Sequence, residues 1–186
     1  QTSKGIQNNL KLLKDAESNL IAKHQYIDSV PYNGLAEVDF EKVYINSEGS
    51  LRQTRQTQAS IYLYAKAEQK GKKPRSSGSY KISRNIDELD ITGCVEEAAK
   101  KTISHLKYQP IDTGKYLVCF KPEAFLELIG SFSTMFNARS IIDGVSLSTI
   151  NSIGKRIAVP NLCIYDNGLH PKNIGACGFD GEGTPT

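Results

Sequence analysis

The chain has 186 residues, 39% of them hydrophobic, and 23 basic against 20 acidic side chains leave a net charge of +3. That length and composition suffice for a buried core, in one domain or in a domain plus part of another. They exclude a membrane-spanning helix, because no apolar run approaches the roughly twenty residues one needs, and the near-balance of charge sets up no whole-chain field for nucleic acid or anionic lipid.

From Lys4 to His24 the apolar residues Ile6, Leu10, Leu13, Ala16, Leu20 and Ile21 recur at helical intervals, which predicts an amphipathic helix. Pro31, Asn33 and Gly34 then predict a break. Between Leu35 and Arg84 the period falls to two. Val38, Phe40, Val43 and Ile45 lead into a Ser47-Glu48-Gly49-Ser50 turn, and Leu51 opens the returning strand. A second hairpin joins the runs at 60–65 and 79–82. The region reads as a mainly antiparallel sheet whose solvated side carries its Gln, Thr, Arg and Lys residues.

The second hairpin's tip is the most basic part of the chain, with Lys66, Lys70, Lys72, Lys73 and Arg75. Such a tip can be a solvated loop that discourages edge pairing, or a phosphate-binding finger. The solvated reading is preferred, since no aromatic platform for bases lies within the run.

Asp87 and Asp90 occupy helix-capping positions before a helix from Ile91 to Leu106, with Val95, Ala99, Ile103 and Leu106 on one face. Glu96 and Glu97 stand four residues before Lys100 and Lys101, in the favourable order for ion pairs. Cys94 and His105 share a face but lie about 16 Å apart along the axis, too far to share a metal.

Pro110 and Gly114 close a linker, and Lys115-Tyr116-Leu117-Val118-Cys119-Phe120 reads as a buried strand. Pro122 then suits the first turn of a helix running to about Phe136, with Phe125, Leu128, Ile129, Phe132 and Phe136 at helical intervals. Residues 161–167 read as another strand, and His170 precedes Pro171 in a turn. The expected organisation is a middle α+β domain over 1–111 and, over 112–186, the start of a larger α/β-type domain. Cys94, Cys119, Cys163 and Cys177 form no C-x-x-C and read as reduced thiols of a cytoplasmic protein, Cys119 and Cys163 within buried strands. A Cys163–His170 nucleophile and base pair lacks an orienting third group.

The last dozen residues, from Gly175 to Thr186, form a glycine-punctuated loop displaying Asp180 and Glu182 two residues apart. With Gly183 they either line a peptide cleft or subunit interface, or only shape a turn. The start at Gln1 rather than Met, and the close just past Pro185, predict a piece of a longer polypeptide.

Taken in order, several of these parts resemble the middle of a TldD/PmbA family protein: the Cys94 helix, the 115–120 run, the helix through Glu127 and Gly130, the Ser152-Ile153-Gly154-Lys155 turn, the 161–167 run and the Gly178-Phe179-Asp180-Gly181-Glu182-Gly183-Thr184-Pro185 loop. The Asn46-Ser47-Glu48-Gly49 turn is compatible with the same family. The resemblance implies a cytoplasmic zinc metalloprotease assembly of two related subunits that trims and matures peptides. The family's other name, modulator of DNA gyrase, implies no DNA contact.

In that family's catalytic subunit, a His-Glu-x-x-x-His run follows the strand corresponding to 115–120, its histidines gripping zinc while the Glu activates water. The corresponding positions here hold Phe125, Leu126 and Gly130, and no histidine lies between His105 and His170. The resemblance therefore implies a PmbA/TldE-like, non-catalytic subunit, with no catalytic residue, metal ligand or cofactor of its own. Glu123 and Glu127 read as solvated helix residues. The implied partners are a zinc-bearing TldD-like subunit, or a second copy, and a peptide substrate, with no membrane. Two other readings stay open: an independent metallopeptidase with ligands beyond Thr186, and a nucleic-acid-binding module built on the basic tip at 66–75.

Overall fold

The computed structural model describes residues 5–170 and 173–186. The expected helix start at Lys4 and the turn at Pro171 lie outside them. Two compact units result, one from residues 1–110 and 167–186, the other from 111–166.

The first unit is a helix, a three-stranded antiparallel sheet and a second helix: α1 (Ile6–Ala22), β1 (Ile27–Ile45), β2 (Leu51–Ala67), β3 (Arg75–Ser83) and α2 (Ile91–His105), with sheet order β1-β2-β3. This is the α+β, antiparallel-sheet class read from the sequence. β1 and β2 form one long ribbon, in constant register from Ile45↔Leu51 to Tyr32↔Tyr64 and paired on to Ile27↔Ala67, whereas β3 pairs only with the stretch of β2 from Ala59 to Ala67. The break expected at Pro31-Asn33-Gly34 is a correction: β1 runs straight through it. Register shifts between Ile27 and Tyr32 absorb the proline, which cannot donate to a ladder.

Alternation on β2 turns Ala59, Ile61, Leu63, Ala65 and Ala67 to one side, all fully buried. There Ala59, Ile61, Leu63 and Ala65 join Ala16 and Leu20 of α1 and Cys94, Val95, Ala98 and Ala99 of α2 in a single core. The apolar stripe of α1 is narrower than its spacing suggests. Ala16 and Leu20 are buried, but Ile6 is 80% exposed and Leu10 and Ile21 are exposed as well.

β3 inverts the usual polarity. Its residues on the helix side, in register with Leu63 and Ile61, are Ser79 and Lys81, while Tyr80 and Ile82 face away and are exposed. The polar seam is satisfied from α2. The Glu97 carboxylate accepts from Ser79 Oγ (2.8 Å) and Lys81 Nζ (2.8 Å) and pairs with Lys101 Nζ (2.6 Å). Thr102 Oγ1 donates to the Ser77 carbonyl at 3.0 Å. The Lys101, Lys81 and Ser79 hydrogen bonds, in that order, pull the Glu97 carboxyl down to about 2.

A carboxyl whose pKa falls on folding stabilises the fold above its unfolded value, and that stability is lost as pH drops from about 4.5 through about 2. Glu97→Gln should therefore cost about 1–2 kcal/mol at pH 7, partial exposure having been discounted. The gap between the urea midpoints of the two proteins should close as pH is lowered to 3 and below. A gap unchanged down to pH 2 would contradict the assignment.

Of the two expected caps, Asp90 holds α2, its Oδ1 accepting from Gly93 N at 2.8 Å. The short 3-10 turn Ile86–Glu88 is capped instead by Asn85, not by Asp87. Glu97 makes its expected pair with Lys101, whereas Glu96 reaches Lys23 at the end of α1, at 3.5 Å.

The sheet face away from the helices is also a correction. Where three strands pair, it carries Tyr32, Tyr62, Tyr64, Tyr80 and Ile82, all exposed, rather than a mainly polar set. The Gln, Thr and Arg side chains concentrate on the outer half of the β1–β2 ribbon, beyond the end of β3.

The second unit holds α3 (Pro122–Gly130), a 3-10 turn at Ser133–Phe136, α4 (Ala138–Ile142) and a 3-10 turn at Ile150–Ser152. Pro122 stands in the first turn of α3, where its missing N–H costs nothing. The helix expected to reach Phe136 ends at Gly130 and continues only as the 3-10 turn. The two runs read as strands are corrections too: neither 115–120 nor 161–167 is extended in a sheet. Leu117 is 104% exposed, and Cys119 and Cys163 are exposed rather than buried. An apolar run becomes a strand only where its N–H and C=O groups find a ladder, and among the described residues these runs have none. Ile129, Phe132, Phe136 and Leu162 instead line a cleft of about 410 Å³ within this unit.

Candidate functional site

The terminal loop is tied to the β1–β2 ribbon by side-chain contacts and closes on itself. Phe179 is 4% exposed, and Lys42 of β1 holds its ammonium 4.7 Å from the ring centroid while donating to the Asp180 carbonyl at 2.9 Å. Gln56, opposite Phe40 in the ribbon, donates to the Ala176 carbonyl. The loop closes on itself through a Phe179–Pro185 bridge and the Asp180 N to Thr184 O bond at 2.9 Å.

Asp180 is consumed by this turn. Its Oδ1 accepts from Glu182 N (2.8 Å) and Thr184 N (2.9 Å), the pattern of a carboxylate that substitutes for a backbone acceptor. Gly183 has φ 81°, and a Cβ there would stand 2.3 Å from the Tyr44 ring, so both backbone conformation and space require glycine. Glu182 is exposed at the tip. Of the three loop residues singled out from the sequence, Asp180 and Gly183 hold the loop's shape, and the Asp180 and Glu182 side chains are both exposed.

The other candidate positions lie on α3 in the second unit. Phe125 is half-buried, Leu126 is 67% exposed, and Gly130 has open space around it. A phenyl ring, an isobutyl group and a hydrogen offer no lone pair, so these positions do not fit a zinc ion. Glu123 and Glu127, one turn apart and both exposed on the same helix, supply two carboxylates. Among the described residues no three His, Cys, Asp or Glu side chains converge as a metal would require. Cys163 lies in the second unit and His170 in the first.

One residue escaped the sequence reading. Tyr108, just past α2, carries the Arg75 guanidinium 4.6 Å from its ring centroid. The basic tip thus has an aromatic neighbour, supplied from 33 residues along the chain by the antiparallel packing of α2 on β3. No local pattern signals it.

A sheet backed by two helices on one face, with a glycine-built loop clasped to the outer ribbon, defines an α+β domain joined to part of another. Residues 2–106 match the PmbA/TldA metallopeptidase central domain, and residues 113–186 match the C-terminal domain of the same group. The chain belongs to the PmbA/TldD metallopeptidase family. No curated protein matches it.

Among solved structures, the chain is similar to a Thermotoga maritima protein that carries the name modulator of a DNA gyrase (26% identity, TM-score 0.89, 98% of this chain and 42% of that one). A Bacteroides thetaiotaomicron protein with the same name gives 21% identity, a TM-score of 0.86 and coverage of 98% and 41%. TldE from Thermococcus kodakarensis gives 17%, 0.77, and 100% and 43%. The last two likenesses concern the fold alone. The chain spans 41–43% of the length of these relatives. No helix among the described residues is long and apolar enough to cross a membrane.

Proposed function

We propose that the protein carrying this chain is the non-catalytic, PmbA/TldE-like subunit of a peptide-processing metalloprotease, paired with a zinc-bearing TldD-like subunit. One observation carries the reading. On α3, where the resemblance puts the zinc ligands and the water-activating carboxylate of an active subunit, stand Phe125, Leu126 and Gly130. The likeness in fold to TldE supports it.

In this role the chain contributes shape rather than chemistry. The clasped loop at 175–186 and the tyrosine-bearing sheet face offer surfaces for a peptide or a partner subunit, and the loop's Asp180 and Glu182 are both exposed.

The test is reconstitution. The full-length protein, alone and mixed with a TldD-like subunit, is assayed on an unstructured peptide. Cleavage should require the mixture, and it should survive Glu123→Gln and Glu127→Gln with less than about a twofold change, as fits surface residues that take no part in proton transfer. Turnover by the full-length protein alone would favour the other reading, an independent metallopeptidase with ligands outside this stretch.

A further inference from the structure

We propose that the end of the first unit formed by the β2–β3 tip and the C-terminal end of α2 is a docking site for a carboxylate-rich peptide segment. Lys72, Lys73 and Arg75 from the tip, with Lys107 and Tyr108 from beyond α2, line a cavity of about 860 Å³. No carboxylate lines it. Lys23, Lys66, Lys81 and Lys101 of this unit have acidic partners. Among the described residues, none of the four cations around this cavity has one.

Like charges gathered round one concavity repel each other, and the field they focus is relieved by an anion. The α2 carbonyl end stabilises a neighbouring cation only in part. Stacking on Tyr108 restrains the Arg75 fork, so less freedom is lost when it grips a carboxylate. A second hollow of about 460 Å³, lined by Lys23, His24, Lys100 and Lys107 with Glu96, shares Lys107 and extends the basic surface toward the end of α1.

A peptide fits better than a nucleic acid. Tyr108 is the single ring lining the cavity and Arg75 already covers it, whereas single strands need successive rings for their bases. Gln109 adds an amide able to donate to and accept from a peptide backbone.

The inference rests on the peptide-processing reading and names a substrate chemistry for it. Its test needs no zinc, partner or proteolysis, so the two can fail separately. Fluorescence anisotropy is measured with labelled oligo-glutamate, oligo-glutamine of equal length and oligo-thymidylate, on the unaltered protein and on a Lys72→Gln/Lys73→Gln/Lys107→Gln variant. Lys72, Lys73 and Lys107 are exposed, so thermal melts should coincide.

Oligo-glutamate should bind, weaken as salt rises, and lose at least about tenfold in affinity in the triple variant, while oligo-glutamine should not bind. Tyr108→Ala should weaken it about threefold by freeing Arg75. Absence of oligo-glutamate binding, or equal binding by the triple variant, would overturn the site. Tighter oligo-thymidylate binding with the same residue dependence would overturn the peptide assignment and give the site to nucleic acid.

Discussion

Leu20→Ala should destabilise the first unit by about 3 kcal/mol, while Ile6→Ala on the same helix should change stability by no more than about 0.5 kcal/mol. Both residues fall on the apolar stripe that spacing assigns to α1, so pattern alone predicts comparable costs. The structure separates them. Leu20 is fully buried in the core shared with β2 and α2, and Ile6 is 80% exposed. Truncating Leu20 removes its transfer energy and leaves a cavity that close-packed neighbours fill only in part. Truncating Ile6 removes surface that was already wet and installs a better helix former. Urea unfolding followed by circular dichroism reads both, and similar midpoint shifts for the pair would contradict the packing described.

The second large effect concerns the terminal loop. Gly183→Ala should weaken its closed form by about 2 kcal/mol, which is about a thirtyfold rise in the open population. A side chain there meets two obstacles, the positive φ of 81° and the Tyr44 ring 2.3 Å from the new Cβ. Gly181→Ala is the control, for that position has open space and no positive φ, and it should be nearly silent. Amide exchange at Asp180, Glu182 and Thr184, whose N–H groups close the loop, reports the opening. Equal acceleration in both variants would mean that glycine is not needed at 183 for the reasons given.

What sequence reading recovered follows from how local each signal is. The Asp90 cap, the Glu97–Lys101 pair and the 46–50 turn involve residues at most four apart, and all three stand in the structure. The turn-shaping role of Asp180, held open beside the cleft reading, likewise depends on bonds two and four residues along.

Features set by long-range packing were illegible. Nothing near Lys42 announces that it will serve a loop 138 residues away. Nor does the alternation on β3 reveal that its serine and lysine side faces inward, because the compensating carboxylate sits on α2. The runs at 115–120 and 161–167 have strand composition, but composition cannot supply the ladder partners that make a strand. On α3 the informative signal was chemical rather than geometric: no fold can give Phe125, Leu126 or Gly130 a lone pair for a metal.

That last point bears the whole functional account, and it is tested most directly by the metal content of the purified full-length protein after dialysis against free zinc. A non-catalytic subunit should carry zinc well below one equivalent per chain, unchanged by Glu123→Gln and Glu127→Gln. One tightly held zinc per chain, lost when those α3 carboxylates are replaced, would contradict it.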